Sequence, residues 1–323
     1  MKTIMGITNV FLAILGYVLL LISTRLVNEG GISIMRKKPT SDAQERIFSW
    51  FALSLMPFLS VAIAGGVFGL GNMVFAAALT AGVLQLLLIY GMLGLAGTYR
   101  LAGNALRDLV ILLVCVVILI VFTNYTWSKG HPASMISRGA GIFLLVLAAG
   151  FTVWTLPYFT GKSHKLQRRP GTNFVPAVVF TLVGLAFAGL GGVLLMNNTA
   201  AITYSLNLEQ GVLGFAVIGV GLVIPEYVRV ARKFWMNTQK PIAMHATLAT
   251  GNLGLLLMVG LTAVISPITV TFAGAYLLLV CVAAIVVFGV LFYINNEVGK
   301  IKAILLMACF VLIFVGLMMV SSH

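Results

Sequence analysis

The sequence predicts an all-α integral membrane protein of ten transmembrane helices, arranged as two inverted five-helix repeats. Three observations carry this. Of 323 residues, 61% are apolar and 8% are charged, against roughly 25% charged in a soluble domain. The apolar residues gather into ten runs near the about 20 residues a helix needs to cross the hydrocarbon core. Landmarks of the first half recur in the second at an offset of 168 to 169 positions.

The first run, near 4–24, follows Lys2 and lacks a small-x-small cleavage site, so it reads as a retained helix rather than a signal peptide. The second and third, near 47–70 and 72–97, are parted only by the glycine-rich stretch Gly65–Gly71. Runs near 108–126 and 137–158 complete the first half. The second half holds runs near 174–197, 206–228, 242–264, 268–293 and 303–320, with a short loop at Ser266-Pro267 after the eighth. The repeats are expected to span 1–165 and 166–323, with no soluble domain.

Composition excludes a soluble enzyme, a disordered chain and a disulfide scaffold. Cys115, Cys281 and Cys309 all fall in apolar runs with no metal-binding spacing. Gly69-Leu70-Gly71 and Gly189-Leu190-Gly191-Gly192 lack a full dinucleotide-binding pattern and read as small-residue helix packing. No P-loop, zinc motif or nucleophile–base pair stands out, so neither an enzyme nor a cofactor is expected.

The net charge of +13 would suggest nucleic acid in a soluble protein. In a membrane protein it reflects loops that collect Lys and Arg on the cytoplasmic side, and no nucleic-acid partner is expected. The odd-numbered loops carry Arg25, Arg36, Lys37, Lys38 and Arg46; Arg100 and Arg107; Lys162, Lys165, Arg168 and Arg169; Arg229, Arg232, Lys233 and Lys240; and Lys300 and Lys302. The other side has Lys2, Lys129 and Arg138. This 17-to-3 bias predicts both termini outside the cytoplasm, in a multi-pass protein of the plasma (inner) membrane. The Arg36–Lys38 and Lys162–Arg169 clusters are candidates for contact with anionic lipid heads.

The duplication is visible in particular residues. Pro57 and Pro225 each lie in the second span of a half. The third spans contain Leu86-Leu87-Leu88-Ile89-Tyr90-Gly91 and Leu255-Leu256-Leu257-Met258-Val259-Gly260. Five spans per half is an odd number, so the second half inserts upside down. Inverted repeats of this kind place a binding site near the midplane, where matching helices are interrupted. Pro57 and Pro225 are the expected helix breaks, because proline removes a backbone hydrogen bond and frees a carbonyl.

There are seven carboxylates. Glu29, Asp42 and Glu45 fall in the first basic loop, Glu209 and Glu297 near span ends, and Asp108 at a span start where it can cap or pair locally. Glu226 follows Pro225 inside an apolar run, and an acidic group there is by default a functional candidate. The competing reading is a helix-end glutamate reaching toward Arg229 three residues on.

The second half carries a resemblance. Gly214 and Gly221-Leu222-Val223-Ile224-Pro225-Glu226, then Ile242-Ala243, Gly251-Asn252, the Leu-rich run to Gly260, and Ile265-Ser266-Pro267-Ile268-Thr269-Val270 resemble an alpha repeat of the cation/calcium exchanger superfamily. That superfamily has a Gly-Thr-Ser-x-Pro-Glu stretch, then Gly-Ser-Asn, then a Leu-rich run ending in Gly. The resemblance implies two inverted five-helix repeats, both termini outside, and antiport of cations such as sodium, calcium or protons.

The departures alter the expected chemistry. Leu222 and Val223 replace the Thr and Ser, Phe58 stands at the acidic position of the first half, and Asn252 is displaced by one. Calcium takes six to eight oxygens, usually including several carboxylates. The candidate ion-binding set Glu226, Thr250, Asn252, Gln85, Thr80 and Ser54 holds one formal charge. Such a site suits a proton or a monovalent cation, with His245 as a candidate proton partner. The expected function is a secondary cation antiporter with a degenerate site. The alternatives are an exchanger-like protein that has lost transport and acts as a partner or sensor, and a carrier of a small organic metabolite.

Overall fold

The computed structural model describes residues 2–36, 41–102, 105–128, 134–160, 174–236, 242–243, 245–294 and 297–321. Lys37, Lys38 and the Lys162–Arg169 cluster lie outside them, as does the expected repeat boundary. Among the described residues, ten helices are long and apolar enough to cross a membrane: α1 Ile7–Met35, α2 Ala43–Val67, α3 Gly71–Ala96, α4 Leu106–Asn124, α5 Arg138–Thr155, α6 Phe174–Ser205, α7 Gln210–Arg232, α8 Thr247–Ile265, α9 Phe272–Tyr293 and α10 Lys300–Val320.

Four of them form the centre. α3 is 94% buried and α8 78%, followed by α7 and α2, while the other six stay between 22% and 39%. The second and third helices of each half are thus wrapped by protein, and the rest present Leu, Val and Phe outward. Apolar burial between helices adds little where lipid is the alternative, so close packing of small residues holds such bundles together.

α1 and α6 illustrate this. A Cβ on Gly16 would fall 2.7 Å from the Leu195 amide nitrogen, and one on Gly191 2.7 Å from the Gly16 carbonyl. Gly192 is pressed against the Ser60 carbonyl of α2. Gly191 and Gly192 therefore pack helices, as their sequence context predicts. Gly69 instead closes the tight turn between α2 and α3 at φ +67°, a conformation that side chains resist.

Helix ends depart from the hydropathy runs. The first helix runs Lys2–Met35, well past the run near 4–24, and α6 extends to Ser205, past 197. Hydropathy records where lipid stops, whereas backbone hydrogen bonding continues through good helix formers such as Arg25 and Glu29. α7 shifts to Gln210–Arg232 from the expected 206–228, which brings Arg229 inside the span rather than into a loop.

Neither proline opens its helix. Departures from α geometry lie elsewhere, in π-helical segments at Phe51–Leu55 in α2, Thr80–Leu84 in α3 and Gly214–Gly219 in α7. In α2 the wide segment ends two residues before Pro57. In α7 it ends six residues upstream of Pro225, which sits within the α-helix Val220–Met236.

Short strands tie the loops. β1 (Tyr99–Ala102) pairs parallel with β3 (Ile242–Ala243) and antiparallel with β5 (Glu297–Val298). This sheet joins three loops on the side rich in Lys and Arg. The buried Tyr99 hydroxyl donates to the Tyr90 carbonyl at 2.7 Å, and burial raises its pKa above the ordinary tyrosine value. At the far end of α4, β2 (Ser134–Ile136) pairs antiparallel with β4 (Ile268–Val270).

Candidate ion-binding site

The two halves meet at a pair of glycines. A Cβ on Gly82 in α3 would fall 2.9 Å from Leu255 Cβ and 3.1 Å from the Gly251 carbonyl of α8. A Cβ on Gly251 would overlap the Gly82 carbonyl and the Gln85 amide nitrogen. Gly82 and Gly251 are 169 positions apart, so each repeat presents its equivalent glycine to the other. Only a residue without a side chain lets the backbones approach this closely.

α2 and α7 flank this crossing. Gly254 of α8 receives the Phe58 ring of α2, with Phe58 Cε2 2.9 Å from where a Cβ would stand. Gly219 of α7 receives the Thr80 side chain of α3. Thr262 of α8 donates to the Ala62 carbonyl of α2 at 3.0 Å. Third and eighth spans that cross beside both proline-bearing helices are what the exchanger-like layout requires.

Glu226 is 5% exposed. Its Oε1 accepts from the Arg229 guanidinium one turn further along α7. Arg229 also donates to Ser54 Oγ of α2 at 3.1 Å and, at a long 3.5 Å, to Thr250 Oγ1 of α8. Trp50 Nε1 of α2 donates to the same Thr250 oxygen at 2.9 Å. One guanidinium therefore collects a carboxylate and two hydroxyls from three helices. The pair with Arg229 forms, as a helix-end glutamate would form it, but here it links helices and its carboxylate is buried. A buried carboxylate survives as a charge in such surroundings only when paired and hydrogen-bonded.

The remaining candidates divide. Gln85 donates to the Thr247 carbonyl at 3.3 Å and, weakly, to the Gly82 carbonyl at 3.4 Å. Its Oε1 has no partner, nor do Glu226 Oε2, Thr247 Oγ1 or either side-chain polar atom of Asn252. These are unspent donors and acceptors in a protein interior, where most polar groups are satisfied. Thr80 is fully buried, and its hydroxyl donates to the Ala76 carbonyl of its own helix at 2.9 Å. His245 begins the helix that contains α8, and its side chain lies outside the described residues. Among the described residues, no group of three or more His, Cys, Asp or Glu is placed to hold a metal ion.

The other carboxylates stay peripheral where their partners are described. Glu45 takes both of its Arg36 contacts at 2.7 Å, and Glu297 pairs with Arg100 beside β1 and β5. Sequence reasoning named Arg229 as a possible partner of Glu226 but counted it as a loop cation, so its contacts with Ser54 and Thr250 were missed. It missed Trp50 altogether, which carried no signal beyond its place at the start of an apolar run. The available hint for Trp50 was spacing: Trp50 and Ser54 are four residues apart, as are Ser54 and Phe58, so all three share one side of α2.

The described helices form two inverted five-helix repeats that cross at glycines 169 positions apart. Comparison with solved structures gives the fold: it is that of a sodium-calcium exchanger. The structure of the sodium-calcium exchanger NCX_Mj soaked with 2.5 mM Na+ and 10 mM Sr2+ matches with TM-score 0.56 and 16% identity, over 95% of this chain and 98% of that one. NCX_Mj soaked with 10 mM Na+ and zero Ca2+ matches with TM-score 0.55 and 16% identity, over 97% and 98%. NCX_Mj soaked with zero Na+ and Ca2+ matches with TM-score 0.52 and 17% identity, over 97% and 99%. No family model matches the sequence, and no curated protein matches it.

Proposed function

We propose that this chain is a secondary carrier that moves a small monovalent cation or a proton by alternating access around Glu226. The observation that carries this reading is one buried carboxylate beside the crossing of two inverted repeats, in a fold shared with a sodium-calcium exchanger. The oxygens around it are neutral. Ser54 and Thr250 share the Arg229 contact with Glu226, while Gln85 and Asn252 hold unspent polar atoms. Phe58, the first-half counterpart of Glu226, contributes no charge. One carboxylate with neutral oxygens favours a single positive charge over calcium, which usually draws on several carboxylates.

In this reading the basic loops face the cytoplasm of a plasma (inner) membrane, both termini lie outside, and the two halves divide at residues 165 and 166. The test is flux in proteoliposomes made with purified protein. Sodium, potassium or proton movement above that of empty vesicles supports the carrier, and its loss in Glu226→Gln assigns the carboxylate. No flux of any of the three overturns it.

One observation favours the second reading, an exchanger-like protein without transport: Glu226 already holds a positive charge, that of Arg229. Absence of flux together with a stably co-purifying membrane partner would support it.

A further inference from the structure

Arg229 stands where an ion's ligands converge. Its guanidinium touches one carboxylate oxygen and two hydroxyl oxygens, on α7, α2 and α8. An all-oxygen set drawn from several helices, with one negative charge, is also a donor set that suits a small hard cation. Three of these oxygens belong to the candidate ion-binding residues Glu226, Ser54 and Thr250. The charges already cancel: one carboxylate, one guanidinium. A second cation at these oxygens would sit within a few ångströms of the guanidinium, and like charges that close repel strongly in a protein interior.

Two further observations point to a ligand. Glu226 Oε2 is buried with no hydrogen-bond partner, so the carboxylate keeps an unspent acceptor beside the one Arg229 uses. Arg229 retains 27% side-chain exposure against 4% for Glu226. The guanidinium therefore has somewhere to go, and the carboxylate does not. The long, flexible arginine is the mobile member of the pair.

We propose that Arg229 is a tethered cation that fills the Glu226–Ser54–Thr250 subsite in the unloaded protein, so that an incoming monovalent cation must displace it. This rests on Glu226 being the ion-binding carboxylate of the proposed carrier. The tether has a consequence for the transport cycle. A bare buried carboxylate is costly to carry through the membrane without its ion. With Arg229 paired to it, the unloaded site is neutral and can change sides without an ion bound.

The experiment measures cation binding to purified full-length protein in detergent. Trp50 reports on the site, because its indole donates to Thr250. Sodium chloride is titrated against tryptophan emission at constant ionic strength with choline chloride, and Trp50→Phe identifies the part of the signal that belongs to the site. Arg229→Gln removes the competitor, so half-saturation falls by about tenfold or more, the factor that 1.4 kcal/mol of lost competition gives. The gain disappears in the double variant Glu226→Gln/Arg229→Gln. Equal half-saturation in Arg229→Gln and the unaltered protein overturns the tether.

If Arg229→Gln does not fold, the unaltered protein decides. Phenylglyoxal modification of Arg229, followed by mass spectrometry, quickens in molar sodium chloride and not in choline chloride if the ion displaces the side chain. Equal rates in the two salts overturn the proposal. The carrier reading stands or falls separately, on flux. Flux with no gain of binding in Arg229→Gln keeps the carrier and removes the tether. A Glu226-dependent gain of binding without flux keeps the tether and removes the carrier.

Discussion

Gly82 and Gly251 face each other across the crossing of α3 and α8: a Cβ on Gly251 would overlap the Gly82 carbonyl oxygen, and one on Gly82 would fall 3.1 Å from that of Gly251. They stand 169 positions apart, the offset of the two repeats, so at this crossing a residue meets its own counterpart. That is what a pseudo-twofold relation between inverted repeats requires at its axis. The contact sets the spacing of the four central helices, and with it the reach of Arg229 from α7 to Ser54 and Thr250.

Gly251→Ala is therefore expected to be costly. The added methyl meets backbone at the Gly82 carbonyl and the side-chain amide nitrogen of Gln85 at once; the Gln85 side chain can turn aside, but the Gly82 backbone can yield only if the helix moves. Overpacking of this kind costs about 1–3 kcal/mol. Thermal unfolding in detergent should show a clear fall for Gly251→Ala. Gly189→Ala is the control, since nothing lies within 4 Å of its Cβ position; it should melt like the parent. Equal melting of the two variants would remove the crossing as a packing constraint.

The Glu226–Arg229 pair should be strongly non-additive. Glu226→Gln leaves the guanidinium with two neutral acceptors, and Arg229→Gln leaves a buried carboxylate without its cation. Removing one partner of a buried pair is costlier than removing both. Partial exposure of Arg229 moderates this, so each single variant should lose about 1–3 kcal/mol, with the double variant losing less than the sum. The readout is a double-mutant cycle on unfolding midpoints in detergent. Additive losses would mean that the pair contributes nothing as a pair.

How much of this was legible in the sequence follows from which signals are local. The ten spans were, because a run such as Leu255–Gly260 needs only its own hydropathy to be read. The duplication was too, since Pro57 and Pro225 keep their offset whatever the helices do. The overrun of the first helix to Met35 was not, because helix continuation depends on backbone bonding and not on hydropathy. The π-helical segments were equally hidden: Thr80–Leu84 contains no proline, and its widening answers to packing. Arg229 was seen as a charge, but its reach to Ser54, 175 residues away, is a property of three assembled helices. The exchanger resemblance sets Glu226 and Phe58 as counterparts, 168 positions apart. It had no way to place an arginine that the superfamily motif does not contain.

The charge bias makes an independent expectation about orientation. Both termini should be accessible from outside the cell, and the loop bearing Arg100 should not. Single cysteines placed at residue 2 and at residue 100 in a background lacking Cys115, Cys281 and Cys309 will separate these. An impermeant maleimide should label the first in intact cells and the second only after permeabilisation. The reverse pattern overturns the 17-to-3 assignment. Arg100 itself is 74% exposed in its contact with Glu297, and exposed pairs contribute little, so Arg100→Cys should leave the fold intact.

Phe58 offers the sharpest test of why this site should not prefer calcium. It is 2% exposed and lies one turn beyond Ser54 on α2, the residue that Arg229 contacts. Phe58→Glu sets a second carboxylate at the first-half counterpart of Glu226. Without a divalent ion the variant should be less stable than the parent. The ring's packing against Gly254 is lost, and a buried carboxylate costs several kcal/mol unless compensated. Calcium supplies that compensation, and an ion that binds only the folded state raises its stability in proportion to its affinity. The midpoint of Phe58→Glu should therefore climb when calcium is added, while the parent stays flat. Phe58→Gln has the same shape without the charge and should not respond. A calcium response common to Phe58→Glu and Phe58→Gln would mean that charge at this position does not govern ion choice, and that the scarcity of carboxylates is not what sets this chain apart from a calcium exchanger.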